Sequence, residues 1–387
     1  MHVLVIPSAY PTEDKPLSSI FYKEQSMALQ EKGIKVGVIY SETRNLGCIN
    51  IKNIKRNYFQ VNKYIEDKII TYRKHGWNIY TMRGKVGINL WIKQTCELYE
   101  KYIETEGKPD IIHAHSGLYG GIAAATIKKK YGIPYVITEH SSGILKDIIR
   151  RHDIDLINET YNDADALISV GTSLKNAMNK YTDNDITVIP NIVDVERFSL
   201  KDNKAKSSFT FITICNLKES KGLKELIEAF ALEFKADKNV KLNIIGDGEY
   251  KDTLINIIES FDVKSQIKLL GQIGREDIAK YIKNSSAFVL PSWYETFGIS
   301  YIEALACGLP IITTNCGGPE DFFNEDLGYM IPLNNLEELR KALRKMVNNI
   351  NEFNSENIRE FVKSKFSKEI IVKQIEEVYE KVLLERK

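Results

Sequence analysis

The sequence predicts an α/β protein made of two doubly wound domains, and three observations lead to this fold class. Short apolar runs alternate with helical patterns along the chain, as parallel sheets covered by helices require. Most of these runs end in glycine, proline or polar residues, where a strand would enter a loop. The length of 387 residues exceeds one ordinary core and fits two domains of roughly 150 to 200 residues each.

Composition excludes several classes of protein. A net charge of +1 argues against a dedicated nucleic-acid-binding protein. The cysteines are scattered, odd in number and without the paired spacing of a zinc site, which favours reduced thiols and no metal. They are Cys48, Cys96, Cys215, Cys307 and Cys316. The N-terminal apolar run is too short for a signal peptide, and no stretch reaches the ~18 apolar residues of a membrane-spanning helix. We therefore expect a cytoplasmic protein that contacts at most the inner face of the membrane.

The first domain is predicted to begin with a buried strand over residues 3–6, a loop over 7–19, a helix over 20–31 and a second strand over 36–40. The loop is longer than most strand-to-helix connections, which indicates a functional role. Ser19, at the end of this loop, is a candidate substrate contact.

Residues 51–91 differ from the rest of the chain because they contain nine basic residues and only two acidic ones, with aromatic residues between them. The basic residues are Lys52, Lys55, Arg56, Lys63, Lys68, Arg73, Lys74, Arg83 and Lys85. This mixture suits an anionic membrane surface or a phosphate-bearing substrate. A solvated, partly strand-forming face explains it equally well. A helix is predicted over 89–105.

A strand over residues 110–116 contains two histidines and is followed by glycines that lead into an alanine-rich helix over 122–131. Ligands of open α/β sheets bind outside the carboxyl ends of the strands. His115, at that end, is therefore a candidate ligand contact. A lone histidine is more often structural, and we interpret His113 in that way.

The next strand, over residues 134–138, ends in a polar cluster that includes His140. This cluster is a candidate site for a second substrate. A helix N-cap at Ser141 or Ser142 explains the two serines equally well. Strands over 166–169 and 187–189, with a helix over 172–181 between them, complete the first domain.

The second domain repeats the alternation of strand and helix. Strands are predicted at 209–214, 240–245, 267–270 and 287–290, and helices at 223–234 and 298–307. Lys221 lies at the start of a helix, which is the unfavourable end for a cation, so an anion should share its site. Gly246, Gln272 and Ile273 follow strands in loops that can hold a nucleotide base through the backbone.

Residues 288–319, reading FVLPSWYETFGISYIEALACGLPIITTNCGGP, place two carboxylates at unusual positions. Glu295 lies in the loop after a strand, and Glu303 lies on the apolar side of the next helix. A buried carboxylate is costly unless a group donates hydrogen bonds to it. Hydroxyl groups of a ligand could do so, and so could a neighbouring backbone amide or lysine.

These two acids, together with Ala304, the run 307–310 and the glycine pair 317–318, closely resemble the donor-site signature of glycosyltransferase family 4. The resemblance implies a retaining enzyme of the GT-B fold, with two Rossmann-like domains facing a central cleft. It implies that Glu295 lies near the hydroxyls of the donor sugar and that Glu303 holds the ribose of the nucleotide.

The resemblance also assigns roles outside this stretch. It implies that Lys221 binds the donor diphosphate and that His115 contacts the donor sugar, whereas Asn216 replaces the arginine usual in the family. Independently, a helix that starts near residue 298 has unpaired amides at its positive end, which suits phosphate oxygens. The predicted catalytic residues are His115, Lys221 and Glu295. The predicted donor-binding residues are Asn216, Lys221, Gly246, Gln272, Ile273, Glu295, Thr296, Phe297, Gly298, Ile299 and Glu303. Ser19 and His140 are the predicted acceptor-binding residues.

We therefore expect an acceptor-binding domain over residues 1–190, a donor-binding domain over 191–365 and a helix over 366–387 that crosses back to the first domain. The expected reaction is metal-independent transfer of a sugar from a UDP-linked donor to a glycan or lipid-linked acceptor in surface polysaccharide synthesis. The nucleotide sugar is a substrate, so no cofactor is expected. Two alternatives remain, a sugar-nucleotide epimerase or hydrolase of the same fold and a catalytically silent scaffold.

Overall fold

The computed structural model describes residues 1–44, 49–77, 84–200 and 208–386. Cys48 and Arg83, which the sequence analysis singled out, lie outside these ranges. The chain divides into two compact units, the first comprising Met1–Ile192 and Ile371–Lys387 and the second comprising Val193–Ile370.

The regular elements alternate along the chain, as the apolar pattern predicts. The strands are β1 (His2–Pro7), β2 (Lys35–Arg44), β3 (Val61–Glu66), β4 (Ile69–Trp77), β5 (Ile111–His115), β6 (Tyr135–Glu139), β7 (Ala166–Ser169), β8 (Ile186–Val188), β9 (Phe209–Ile214), β10 (Val240–Ile245), β11 (Ile267–Gly271), β12 (Ala287–Leu290), β13 (Ile311–Thr314) and β14 (Gly328–Ile331). The helices are α1 (Ile20–Glu31), α2 (Ile51–Arg56), α3 (Lys85–Glu106), α4 (Ile122–Tyr131), α5 (Ser142–Leu145), α6 (Arg151–Asp163), α7 (Thr172–Met178), α8 (Leu223–Phe234), α9 (Lys251–Ser260), α10 (Arg275–Lys283), α11 (Ile299–Ala306), α12 (Leu336–Asn348), α13 (Ser355–Phe366) and α14 (Lys368–Leu384). No helix of the described residues is both long enough and apolar enough to cross a membrane.

Within the described residues, the first unit contains an eight-stranded sheet in the order β3-β4-β2-β1-β5-β6-β7-β8. All neighbouring strands are parallel except β3, which pairs antiparallel with β4. β2 to β4 are added on one side of β1, and β5 to β8 are added on the other side, so the strand order reverses between β1 and β5. The carboxyl ends of these two strands therefore flank the point where ligands bind in such sheets.

The second unit contains a parallel sheet of six described strands in the order β11-β10-β9-β12-β13-β14. In sequence order this is the 3-2-1-4-5-6 arrangement of a Rossmann-like sheet. The direction reverses between β9 and β12, so the loops after these two strands form the expected ligand-binding edge of this unit.

The structure adds detail to two segments of the first unit. The helix expected over 89–105 is longer, because α3 begins at Lys85 directly after Gly84, whose extended backbone forms the N-cap. The basic segment forms α2 and the β3–β4 hairpin, which agrees with its partly strand-forming character.

Helix α14 completes the core of the first unit. Ile371, Ile375 and Tyr379 of this helix are buried in one cluster with Val3 and Val5 of β1. Tyr379 also contributes a hydroxyl 2.5 Å from Nδ1 of His113. The amphipathic end of the chain is therefore explained by burial against the first sheet.

Candidate active site

An ion pair joins the two central loops of the second unit. Lys221 follows β9 and Glu295 follows β12, and the lysine Nζ donates to the glutamate Oε1 over 2.7 Å. Ser292 donates its hydroxyl to the same oxygen over 2.7 Å. Because β9 and β12 flank the reversal of the sheet, the two charges predicted to act on the donor lie at the edge where ligands bind.

Backbone contacts fix these loops against each other. The amide of Trp293 donates to the carbonyl of Ser220 over 2.9 Å. Gly222 has a positive φ of 66°, and a Cβ at this position would lie 2.0 Å from the carbonyl oxygen of Pro291. Only glycine allows this approach, so Gly222 sets the position of Lys221 beside the β12 loop.

The electrostatic environment keeps Lys221 charged. Burial acts to lower its pKa, but the Glu295 carboxylate and its hydrogen bond outweigh that effect and raise the pKa above the usual lysine value. Burial also raises the pKa of the neighbouring thiols Cys215 and Cys316 to about 12, so both are neutral at physiological pH. Lys221 is thus positively charged at physiological pH and can bind a phosphate group.

The glycine pair supports the Glu295 loop from the other side. The amide of Glu295 donates to the carbonyl of Cys316 over 3.0 Å, and the amide of Gly318 donates back to the Glu295 carbonyl over 2.8 Å. A Cβ on Gly318 would lie 2.5 to 2.6 Å from backbone atoms of Phe297. The structure thus explains why a glycine stands at position 318.

Glu303 is buried on α11, with 2 % of its surface exposed, and it forms an ion pair with Arg275 at the start of α10. The guanidinium of Arg275 also lies 5.2 Å from the ring centre of Phe198. The structural partner that the sequence analysis considered was a backbone amide or a lysine, and the partner in the structure is an arginine. Sequence analysis overlooked Arg275, although the argument applied to Lys221, a cation at a helix start, would have identified it.

The remaining predicted donor-binding residues lie around the same edge of the sheet. Gly246 allows a close backbone contact, since a Cβ there would lie 1.9 Å from the carbonyl oxygen of Cys215. Packing between loops therefore accounts for this glycine without a ligand. Asn216 and Gln272 are exposed, and Ile273 is half-buried.

The start of α11 contains the other four predicted donor-binding residues. Gly298 is the N-cap of α11 with a φ of 91°, and Ile299 is the first helical residue. Thr296 is half-buried and Phe297 is buried in the turn before them. The first amides of this helix lack acceptors within it, as an anion-binding end requires.

A stack of histidine and tyrosine rings lies at the corresponding edge of the first unit. His115 stacks on Tyr22 with ring centres 4.4 Å apart and on His113 at 4.6 Å. Its Nδ1 lies 3.1 Å from Nε2 of His140. Burial, followed by the two neighbouring histidines, lowers the pKa of His115 well below its usual value, so the imidazole is neutral. The structure thus brings together the two histidines selected from different strand ends.

The three histidines differ in their hydrogen bonding. His113 is bonded at both nitrogens, to Tyr379 at Nδ1 and to Thr138 at Nε2, as a structural residue would be. In contrast, Nε2 of His115 and Nδ1 of His140 are buried without a hydrogen-bond partner among the described residues. An unpaired buried ring nitrogen is costly, and a ligand hydroxyl would satisfy it.

Glu139 organises the backbone beside this stack. Its carboxylate accepts hydrogen bonds from the amides of Gly117, His140 and Ser141 at 2.7 to 2.9 Å. The hydroxyl of Tyr161 donates to it over 2.6 Å. The sequence alone gave Glu139 no role, because two of its four partners, Gly117 and Tyr161, each lie 22 residues away along the chain.

Local capping explains part of this polar cluster. Ser141 is the N-cap of α5 and accepts from the amide of Gly143, as one of the two interpretations of the serines predicts. Ser19 is the N-cap of α1 and has a left-handed backbone with φ 49°. Its side chain makes no capping hydrogen bond, so capping does not explain the hydroxyl.

Four basic residues of the described part of segment 51–91 form ion pairs with acids, namely Arg56, Lys63, Arg73 and Lys74. Lys63 pairs with Glu106 at 2.6 Å, Lys74 pairs with Glu97, and Arg56 pairs with Glu13. Several of these acids lie outside the basic segment in the sequence. The folded surface is therefore less basic than the composition of the segment indicates.

Comparisons with known proteins identify the family of the chain. Residues 194–365 match the family model described as glycosyl transferases group 1, and residues 20–197 match the model described as glycosyltransferase family 4. An uncharacterized glycosyltransferase of Methanocaldococcus jannaschii is 30 % identical over 337 residues, which cover 83 % of this chain and 91 % of that protein. A putative teichuronic acid biosynthesis glycosyltransferase of Bacillus subtilis is 26 % identical, over 89 % of this chain and 88 % of that protein.

Among solved structures, the Anabaena protein HepE in complex with UDP and glucose superimposes with a TM-score of 0.72 at 18 % identity, covering 97 % of this chain and 98 % of that one. This likeness shows the fold. Together with the 30 % identical relative and the two family models, it leads to one assignment. The chain belongs to glycosyltransferase family 4 and has the GT-B fold.

Proposed function

We propose that the protein is a retaining, metal-independent hexosyltransferase that takes a sugar from a UDP-linked donor and adds it to a glycan or lipid-linked acceptor in surface polysaccharide synthesis. The observation that carries this proposal is the Lys221–Glu295 pair at the point where the second sheet reverses direction. The relative named for teichuronic acid biosynthesis supports the acceptor class. The solved relative with UDP and glucose supports the nucleotide.

In the proposed reaction, the bond between the sugar and the diphosphate breaks as the bond to the acceptor oxygen forms. Negative charge grows on the departing phosphate, and Lys221 with the first amides of α11 stabilises it. The acceptor hydroxyl attacks from the face that the phosphate leaves and transfers its proton to a phosphate oxygen, so the anomeric configuration is retained. This route needs no metal ion and no second catalytic carboxylate.

The Lys221–Glu295 ion pair holds both side chains in place before the donor binds. A diphosphate that binds Lys221 competes with the carboxylate for the three donor hydrogens of the ammonium group. Glu295 is then available to accept hydrogen bonds from sugar hydroxyls. We therefore propose that donor binding reorganises this ion pair, so that phosphate and sugar are engaged together.

Glu303 is proposed to accept hydrogen bonds from the two hydroxyls of the ribose. Arg275 supports this role, because its guanidinium pairs with the buried carboxylate and orients it. In the first unit, the unpaired ring nitrogens of His115 and His140 are proposed to meet sugar hydroxyls of donor and acceptor, respectively. Ser19 is proposed to contact the acceptor.

A thermal-shift screen against UDP, GDP, ADP and their sugars tests the donor assignment. A ligand that binds only the folded state raises the melting temperature, so UDP and one UDP-sugar should give the largest shifts. Nuclear magnetic resonance of the product then reports the anomeric configuration. Intact donor without acceptor supports a transferase over an epimerase or hydrolase, and the absence of any nucleotide effect would favour the silent scaffold.

A further inference from the structure

The first unit contains a cavity of about 810 Å³ whose lining comes from residues 11–75 alone. Its walls are the loop after β1, the end of β2, the turn that follows α2 and the β3–β4 hairpin. Ligand sites for small organic molecules typically measure about 300 to 1,000 Å³. This volume would accommodate a ligand larger than one sugar ring.

The floor of the cavity is a rigid network of charged side chains. Arg73 is 6 % exposed and Glu42 is 7 % exposed, and they form an ion pair of 3.0 Å. Arg73 also donates to both carboxylate oxygens of Glu66 and to the carbonyl of Pro11. Burying such groups is costly, and the multiple bonds hold them in one geometry. The network thus presents fixed carboxylate and guanidinium edges to the cavity.

The charges of the lining nearly cancel. The cationic side chains are Lys23, Arg44, Lys55, Arg56 and Arg73, and the anionic ones are Glu13, Glu42, Glu66 and Asp67. Five positive and four negative groups create no strong field of one sign. A site for a phosphate or a polyanion would show a clear excess of positive charge. A neutral ligand with many hydroxyl groups fits this balance better.

Aromatic side chains border the same cavity. Tyr58 is 69 % exposed and Tyr64 is 37 % exposed, although large aromatic residues usually bury more of their surface. A sugar ring has apolar C–H faces and a polar edge. Exposed rings beside fixed hydrogen-bonding groups can bind both parts at once.

We propose that this cavity binds sugar units of the acceptor glycan away from the hydroxyl that reacts. The proposal rests on the proposed transferase function and narrows its acceptor to an oligosaccharide of two or more units, free or lipid-linked. The loop after β1 supports this link, because Pro16 and Ile20 line the cavity on either side of Ser19, the predicted acceptor contact. Nothing in the family signature of the second unit requires such a site.

Binding is tested with the full-length protein on a printed array of neutral, N-acetylated and uronic-acid oligosaccharides of one to six units, in the presence of UDP. Neutral or N-acetylated oligosaccharides should bind more strongly than the corresponding monosaccharides. The strongest oligosaccharide is then used in calorimetry. Tyr58→Ala and Tyr64→Ala should each weaken its binding by about tenfold, as the loss of an aromatic contact predicts. Tyr58→Trp should retain binding.

Tyr281→Ala is the matched control, because Tyr281 of the second unit is as exposed as Tyr64, at 37 %. It should leave oligosaccharide binding unchanged. The thermal shift given by UDP should be the same in all four variants. If UDP shifts the melting temperature but no oligosaccharide binds, or if the tyrosine variants bind it normally, the cavity proposal is wrong while the transferase proposal stands.

Vesicles of anionic phosphatidylglycerol without glycan form a second arm of the experiment. If the tyrosine variants lose vesicle binding but keep oligosaccharide binding, the two rings serve a lipid surface and the glycan subsite is rejected. If they keep vesicle binding and lose oligosaccharide binding, the subsite is supported.

Discussion

At the scale of single residues, the proposed contacts to the ribose and to the donor sugar are made by two glutamates that have different partners. Glu303 is bound to Arg275 inside the second unit, and Glu295 is bound to Lys221 at the edge of its sheet. A contact that exists with the bound nucleotide affects affinity, whereas one that strengthens in the transition state affects turnover.

We therefore predict that Glu303→Ala weakens UDP binding by about tenfold or more, the effect of losing a charged hydrogen bond. Glu295→Gln should mainly lower kcat. Calorimetry with UDP and steady-state kinetics separate the two effects. Glu233→Ala is the control, because Glu233 also pairs with an arginine of the second unit, at 2.8 Å, and has no proposed substrate role. Equal effects of the two variants on affinity and turnover would contradict the assignment.

Lys221, Glu295, His115 and His140 were selected singly, each from a strand end or a short motif. The structure brings them together in pairs, Lys221 with Glu295 and His115 with His140. Arg275 and Glu139 were not assigned, because their partners depend on packing between elements far apart in the chain. A carboxylate and its partner separated by many residues leave no periodic pattern to recognise.

At the scale of secondary structure elements, α2 exposes an apolar face that the structure does not cover. Ile51 and Ile54 of this helix are more than half exposed, next to the exposed Lys55, and so is Phe59 in the turn that follows. Exposed isoleucines beside basic residues are typical of helices that lie on membranes. We propose that this element, rather than the whole basic segment, contacts an anionic membrane.

Flotation with phosphatidylglycerol vesicles checks this proposal. Binding should fall with salt and should be lost in the double variant Ile51→Asp and Ile54→Asp. Lys55→Glu should weaken binding by ~1 kcal/mol, the contribution expected of a basic group near such a surface. Ile255→Asp, at a partly exposed isoleucine of α9 in the second unit, is the control. Failure to float even at low salt would indicate an acceptor that is not held in a membrane.

The order of strands and helices was predictable because each buried strand is a short apolar run that is followed by a turn. The β3–β4 hairpin was harder to predict. Its strands, VNKYIE and IITYRKHGW, mix charged, polar, apolar and aromatic residues, and β3 is an edge strand that buries little of its surface. The pairing of the basic residues also required the fold, since Lys63 and Lys74 find their acids on α3.

At the scale of the whole molecule, buried histidines make stability depend on pH. Burial lowers the pKa of His113 and of His140 to about 3, and burial also lowers the pKa of His115 well below its usual value. In the unfolded chain these groups take up protons below about pH 6.5. Their contribution to stability is therefore complete above that pH and is lost as the pH falls toward 3.

We predict that the free energy of unfolding falls as the pH is lowered from about 6.5 to 5, by at most about 1.4 kcal/mol per pH unit for each histidine. Urea unfolding at several pH values measures the slope. His113→Gln should make the slope shallower. An unaltered slope in this variant would show that other groups control acid unfolding.

The whole reaction is also predicted to survive EDTA, because Lys221 and the first amides of α11 supply the positive charge that a divalent ion would otherwise provide. Product formation is measured before and after chelation, with added magnesium or manganese as the comparison. Activity that disappears with EDTA and returns with either ion would contradict the proposed mechanism.

The position of α14 has a consequence for synthesis of the chain on the ribosome. Val3 and Val5 leave the exit tunnel long before Ile371, Ile375 and Tyr379, yet all five residues belong to one buried cluster. The first unit therefore waits, with part of its apolar surface open, while the contiguous second unit is translated and can fold. Chaperones that recognise nascent chains should bind residues of β1 and β2 until α14 is synthesised, and release them only then.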